Sequence, residues 1–142
     1  MKEDVVIRTV TRMIVPFIQL FGLYVILHGA SSAGGGFQGG VIFASAFILY
    51  GIAFGITEAR KRIYEKITTV AASLGVYIFA GIGLLAILFG GNFLGYSALP
   101  LPLPGPEIRG LMAEFVEIGI GITVMAVMTS IFYDMASKEE VE

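Results

Sequence analysis

The stretch ITTVAASLGVYIFAGIGLLAILF, residues 67–89, runs for 23 residues without a charge or a proline. A helix of that length, at ~1.5 Å per residue, crosses a hydrocarbon core of ~30 Å. Three more apolar stretches, 10–27, 40–56 and 111–133, come close to the ~20 residues that a crossing needs. The expected fold is therefore all-α: an integral membrane bundle of four transmembrane helices, forming one membrane domain over residues 1–142. The first span carries the weakest signal, because Arg12 lies inside it and Pro16 has no amide to donate. Arg8 and Arg12 can reach the headgroups along their stems, and Pro16 is expected near the end where the helix enters the membrane. A cleaved leader is the rival reading, since the run ends in small residues from Gly29 to Ala33; we read it as a retained span.

Composition points the same way. Apolar residues make up 56% of the 142 and charged residues 14%, with a mean hydropathy of +0.87. A water-soluble domain of that make-up cannot cover its surface with polar groups. There is no cysteine, which rules out disulfides, thiolate-bound zinc, iron–sulfur clusters and c-type haem attachment in this chain by itself. His28 is the single histidine, too few for a His-built metal site or a bis-His haem within one copy. No cofactor and no metal are expected here, and redox work nearby would fall to a different chain. The basic residues sit beside apolar runs and form no basic stripe, so nucleic acid is not an expected partner. No nucleophile, base and orienter gather in the sequence, and the chain by itself is not expected to be an enzyme.

Orientation follows from lysine and arginine. Lys2, Arg8 and Arg12 precede the first span, Arg60, Lys61, Arg62 and Lys66 separate the second from the third, and Lys138 follows the fourth, whereas Arg109 alone falls on the other side. Short loops rich in these residues stay in the cytoplasm, so both termini and the middle loop are expected there, in a multi-pass protein of the plasma membrane. The middle loop, 57–66, mixes Glu58 and Glu65 with its basic residues and fits a tight helical hairpin. The outer loop holds Gly90-Gly91-Asn92 and then Pro100, Pro102, Pro104 and Pro106, and is expected to run extended, as a linker or a docking strap. Small residues recur inside the spans, among them Gly51, Gly75, Gly81, Gly83, Gly119 and Gly121. In lipid they let backbones approach closely, here both within the chain and toward neighbouring subunits.

The most distinctive motif is the run His28-Gly29-Ala30-Ser31-Ser32-Ala33-Gly34-Gly35-Gly36-Phe37-Gln38-Gly39-Gly40, between the first and second spans. It contains G-x-G-x-x-G at Gly34, Gly36 and Gly39, but a dinucleotide site needs a βαβ unit and the flanks here are membrane helices. The glycines are better read as permitting unusual backbone geometry and the close approach of another chain. Amides opening the second span also offer partial positive charge to an anion or a polar group. His28 is either a proton carrier, titrating near neutrality, or a cap on the first helix C-terminus; capping is the preferred reading. Glu114 and Glu117 share one face of the fourth span, with Glu117 about two turns from its outer end. A carboxylate at that depth costs up to a few kcal/mol unless it faces protein or water. Two roles stay open for the pair: carrying protons or a cation such as Na+, or binding a partner helix. Tyr24, Tyr50, Tyr77, Tyr96 and Tyr133 read as interface and packing groups.

A first helix ending at His28-Gly29, the run Gly34-Gly35-Gly36-Phe37-x-Gly39-Gly40 and four spans of this length resemble the MnhB family, small membrane subunits of Mrp-type multi-subunit Na+/H+ antiporters. The resemblance covers nearly the whole chain, the glycine run being its most specific part. The family commonly has a second histidine and a proline before its glycines, where this chain has Ala30 and Ala33. The resemblance implies a small subunit that works in the lipid bilayer with other small Mrp-type membrane subunits and large antiporter-like subunits related to those of respiratory complex I. Related modules occur in archaeal membrane-bound hydrogenases and sulfane reductases, where a peripheral redox arm drives ion pumping. A chain without cysteine, with Asn92 as its one asparagine and Gln19 and Gln38 as its glutamines, has the composition of heat-adapted proteins, which leans toward such an assembly. Two alternatives remain. One is a purely structural spacer. The other is an autonomous small four-helix transporter, which would carry its glutamate in the first helix.

Overall fold

The computed structural model describes residues 2–29, 31 and 34–139; Ala30, Ser32 and Ala33 of the connecting run lie outside them. The fold is all-helical, and four of its helices are long and apolar enough to cross a membrane. Helix α1 spans Lys2–Leu27, starting about two turns before the expected span. Its polar start stays helical because Arg8 and Arg12 lie along the helix and reach the Phe54 ring, at 5.6 Å and 5.1 Å from its centroid. Pro16 consequently sits mid-helix rather than near an end. It withholds one backbone hydrogen bond without stopping the helix.

Helix α2, Gly36–Phe54, ends at Gly55, whose φ of 91° lies in the region that favours glycine. The middle loop is not a simple hairpin, because Ile56–Arg62 forms a further helix, α3. Glu58 and Lys61 pair on it at 2.6 Å, and that hydrogen bond, together with the Glu58 charge, raises the Lys61 pKa above its ordinary value. Ile56 and Ala59 of α3 pack with Tyr133, whose hydroxyl donates to the Ala59 carbonyl at 3.2 Å. Arg60 also holds α3 in place, donating to the Tyr133 carbonyl at 3.4 Å.

Helix α4 spans Glu65–Leu88 and closes on a Schellman cap. Gly90 has φ 84°, its amide donates to Ile87 and the Gly91 amide to Ala86, both at 2.9 Å. The outer loop then turns back instead of running straight out. Phe93 covers Gly83 and meets Phe79 edge-on at 5.9 Å, and a 3-10 turn forms at Tyr96–Ala98. Helix α5 spans Gly105–Glu139, 35 residues, so Pro106 falls in its first turn and does not prolong the loop. An amide is dispensable there, and the Pro104 carbonyl accepts from Glu107 at 2.9 Å and Ile108 at 3.1 Å.

The helices stand in a row, α1 against α2, α2 against α5 and α5 against α4. Glycines set the spacing. Gly36, Gly40 and Gly51 of α2 meet Glu117, Gly121 and Phe132 of α5 in one register, so these two helices run parallel. Gly75 of α4 presses on Gly119 and Thr123, and further along Ser130 donates to the Thr68 hydroxyl at 2.9 Å, so α4 and α5 run antiparallel. On the other flank Gly22 of α1 meets Gly39 and Phe43 of α2. These small residues serve contacts within the chain, where van der Waals contact replaces the drive that water would supply, whereas a methyl at Gly81 would meet nothing within 4 Å. A row leaves its outer faces uncovered: Phe17 on α1 is 71% exposed and Tyr77 on α4 75%, apolar surface of the kind that faces lipid or other subunits.

Candidate functional site around Glu117

Three pieces of backbone converge on Glu117: the end of α1 with the connection behind it, the start of α2, and the folded-back outer loop. A methyl group at Gly29 would overlap the Glu117 carboxylate, and one at Gly36 would overlap the Glu117 backbone. At Gly35 a methyl carbon would stand 3.8 Å from Oε1. The recess that takes this side chain is therefore shaped by missing side chains, and the motif and the membrane carboxylate form one place in the fold.

The electrostatics of the recess are equally local. Gly35 is the N-cap of α2, makes no side-chain capping bond, and the first turn of α2 has no acidic residue of its own. The exposed amides of that turn carry partial positive charge, and the nearby carboxylate comes from α5. Glu117 Oε2 is buried and has no hydrogen-bond partner among the described residues. Tyr96, on the 3-10 turn, lies within reach of the Glu117 charge; burial first and that charge second raise its pKa above the ordinary tyrosine value. Sequence alone marks Tyr96 only as an interface group. What brings it here is the folding of the outer loop, which local sequence does not announce.

The remaining candidates separate. Glu114 lies one turn before Glu117 and is exposed, though within electrostatic reach of it. His28 Nδ1 lies 3.1 Å from the Tyr24 carbonyl and its ring stacks on Tyr24 at 4.2 Å. Phe37 is 61% exposed, Gln38 Oε1 is near the open face of Gly35, and Gly39 and Gly40 are pressed against α1 and α5. Gly34 faces Val25. Positive φ among the described glycines is confined to Gly55 and Gly90, and of the motif glycines Gly29, Gly36, Gly39 and Gly40 come into close approach with α1 or α5 of their own chain. Among the described residues no three His, Asp or Glu gather as a metal ion would require.

Comparison with known proteins gives a consistent answer. Residues 6–130 match the family model described as a domain related to the MnhB subunit of Na+/H+ antiporter. A protein named as antiporter subunit mnhB2 in Staphylococcus haemolyticus strain JCSC1435 is 39% identical over 137 residues, covering 92% of this chain and 94% of that protein. Its namesake in Staphylococcus aureus strain MRSA252 is 34% identical over 139 residues, covering 96% and 97%.

Proposed function

Because the chain belongs to the MnhB family of antiporter subunits, we propose that it is a small membrane subunit of a multi-subunit Na+/H+ antiporter module, in which Glu117 takes up and releases the transported cation or proton. It is a multi-pass protein of the cell membrane, from a family of transporters rather than catalytic enzymes. The observation that carries the proposal is the Glu117 carboxylate lodged against Gly29 and Gly35, with Oε2 lacking a partner among the described residues. A group held in the membrane only to bind a partner helix would be expected to have its hydrogen bonds filled. The recess supplies what an exchange site needs: a carboxylate at a depth where charge is costly, a helix N-terminus that lowers that cost, and glycine backbone in place of side chains against the carboxylate. Glu114, exposed one turn away, is the group to hand a cation on or to draw it in.

The same reading supplies the partners and the topology. The other small Mrp-type subunits and the large antiporter-like subunits cover the outer faces of α1 and α4, and both termini lie in the cytoplasm, as the distribution of basic residues favours. A redox-driven hydrogenase or sulfane reductase arm is a further member only if its subunits travel with the chain. Mass spectrometry of the complex after gentle detergent extraction decides this, and recovery of the chain alone or as a homodimer would sink the assembly reading.

Glu117→Gln tests the site, in a complex whose assembly is verified first. Na+-dependent proton movement in everted vesicles is expected to fall by at least an order of magnitude, since the neutral amide cannot exchange a proton. Full activity with normal assembly would remove Glu117 from the mechanism. Loss of assembly instead of transport would favour the structural spacer, in which the recess only holds helices together.

A further inference from the structure

At the opposite end of the molecule, we propose that Arg8, Arg12 and Arg62 form a binding site for the phosphate of an anionic phospholipid. The rings of Tyr50 and Phe54 stack at 4.4 Å with 19° between their planes. Arg12 and Arg8 of α1 approach the Phe54 ring at 5.1 Å and 5.6 Å, and Arg62 of α3 approaches Tyr50 at 4.8 Å. Three guanidiniums from two helices are thereby gathered around one aromatic pair. A cation–π contact draws on the guanidinium's charge and uses up no hydrogen bond, so the N–H donors remain available.

No carboxylate among the described residues is seen to pair with those donors. Among the described residues the ion pair seen is Lys61 with Glu58, and all three arginines are exposed. Like charges held this close repel one another, and a planar fork of donors fits a phosphate two bonds at a time.

Depth selects a lipid as the source of that phosphate. Helix α2 has 19 residues, ~28 Å at ~1.5 Å per residue, just enough for a hydrocarbon core of ~30 Å. Its last residue, Phe54, therefore marks the boundary where the acyl chains end and the phosphates begin. Beside the cluster, Met13 and Ile52 are 65% and 70% exposed and offer apolar surface to an acyl chain. Gly55, which turns the chain from α2 into α3, is what brings Arg62 back over Tyr50.

The test is native mass spectrometry of the full chain in detergent, offered dioleoyl-phosphatidylglycerol and dioleoyl-phosphatidylcholine in equal amounts. The wild type is expected to retain phosphatidylglycerol in preference. Arg12→Gln and Arg62→Gln should each weaken retention about fivefold, the equivalent of ~1 kcal/mol for one basic residue near an anionic headgroup. Arg109→Gln, at the other end of the molecule, should leave it unchanged. Phe54→Leu keeps every charge but removes the stacking surface, and should weaken retention as well. Far-ultraviolet circular dichroism checks each variant's helicity, and if Arg12→Gln does not fold, Arg62→Gln and Phe54→Leu decide. Equal retention of the two lipids, or wild-type retention in the arginine variants, would overturn the proposal. So would a complex in which the three arginines cross-link to a neighbouring subunit's carboxylates and no phosphatidylglycerol stays bound.

Discussion

Adding one methyl group at Gly75 should push α4 away from α5. The new carbon would overlap the Gly119 carbonyl oxygen and stand 2.9 Å from the Thr123 amide nitrogen. Backbone cannot swing aside as the tip of a side chain can, so the helices must separate. Overpacking of this kind costs about 1–3 kcal/mol. The same helix provides its own control, since a methyl at Gly81 meets nothing within 4 Å. Both substitutions bring the helix-propensity gain of alanine over glycine, up to ~1 kcal/mol, so comparing the two variants isolates the clash. Gly75→Ala is expected to melt below Gly81→Ala by roughly 3–10 °C, taking about 3 °C per kcal/mol for a chain of this size. Far-ultraviolet circular dichroism of the full chain in one detergent measures it. Equal melting temperatures would show that α4 and α5 do not approach closely at Gly75, and the row of helices would have to be redrawn.

Gly55→Ala meets no atom within 4 Å, yet φ of 91° should cost about 1–2 kcal/mol in backbone strain, read as a lower melting temperature with no loss of packing. Tyr96 gives a pH prediction. Its pKa is raised in the folded protein, so its stabilising contribution is present below the ordinary tyrosine value and is lost as pH rises through the folded one. Glu117→Gln removes the charge component and should move the Tyr96 transition back toward the ordinary value, seen as tyrosinate absorbance against a Tyr96→Phe control. An unmoved transition would mean that the outer loop does not fold back onto the site.

The four long helices are legible in the sequence because uncharged stretches of that length have few other uses. Their ends are not. The arginines of α1 read as the border of a span, but their stems let the helix continue while the charges approach the ring of Phe54, a residue distant in sequence. Pro106 reads as a loop residue, although in a first turn its missing amide is harmless. The segment 57–66 reads as a hairpin, although its i, i+3 pair of Glu58 and Lys61 and the glycine before it are a usable signal for α3. Glu117 stands out because a membrane carboxylate is costly wherever it lies. That it meets the glycine run is not legible, since this depends on the parallel register of α2 against α5, and one turn of slip would pair different residues.

That register also fixes how a bound ion would feel the membrane voltage. Glu117 and Tyr133 are both on α5, ~24 Å apart along the helix, and Tyr133 packs with the basic α3 at the opposite end of the bundle. Against a core of ~30 Å, at most about one fifth of the thickness lies between Glu117 and the face where α2 starts, and about four fifths or more between Glu117 and the α3 face. One elementary charge crossing the whole core works against about 2.3 kcal/mol per 100 mV. An ion reaching Glu117 from the side where α2 starts would thus meet at most about 0.5 kcal/mol of that, and one arriving from the α3 side nearly all the rest. With Glu117 as the exchange group, membrane voltage acts chiefly on the steps between that site and the α3 side, an asymmetry set by where the glycines let α2 start.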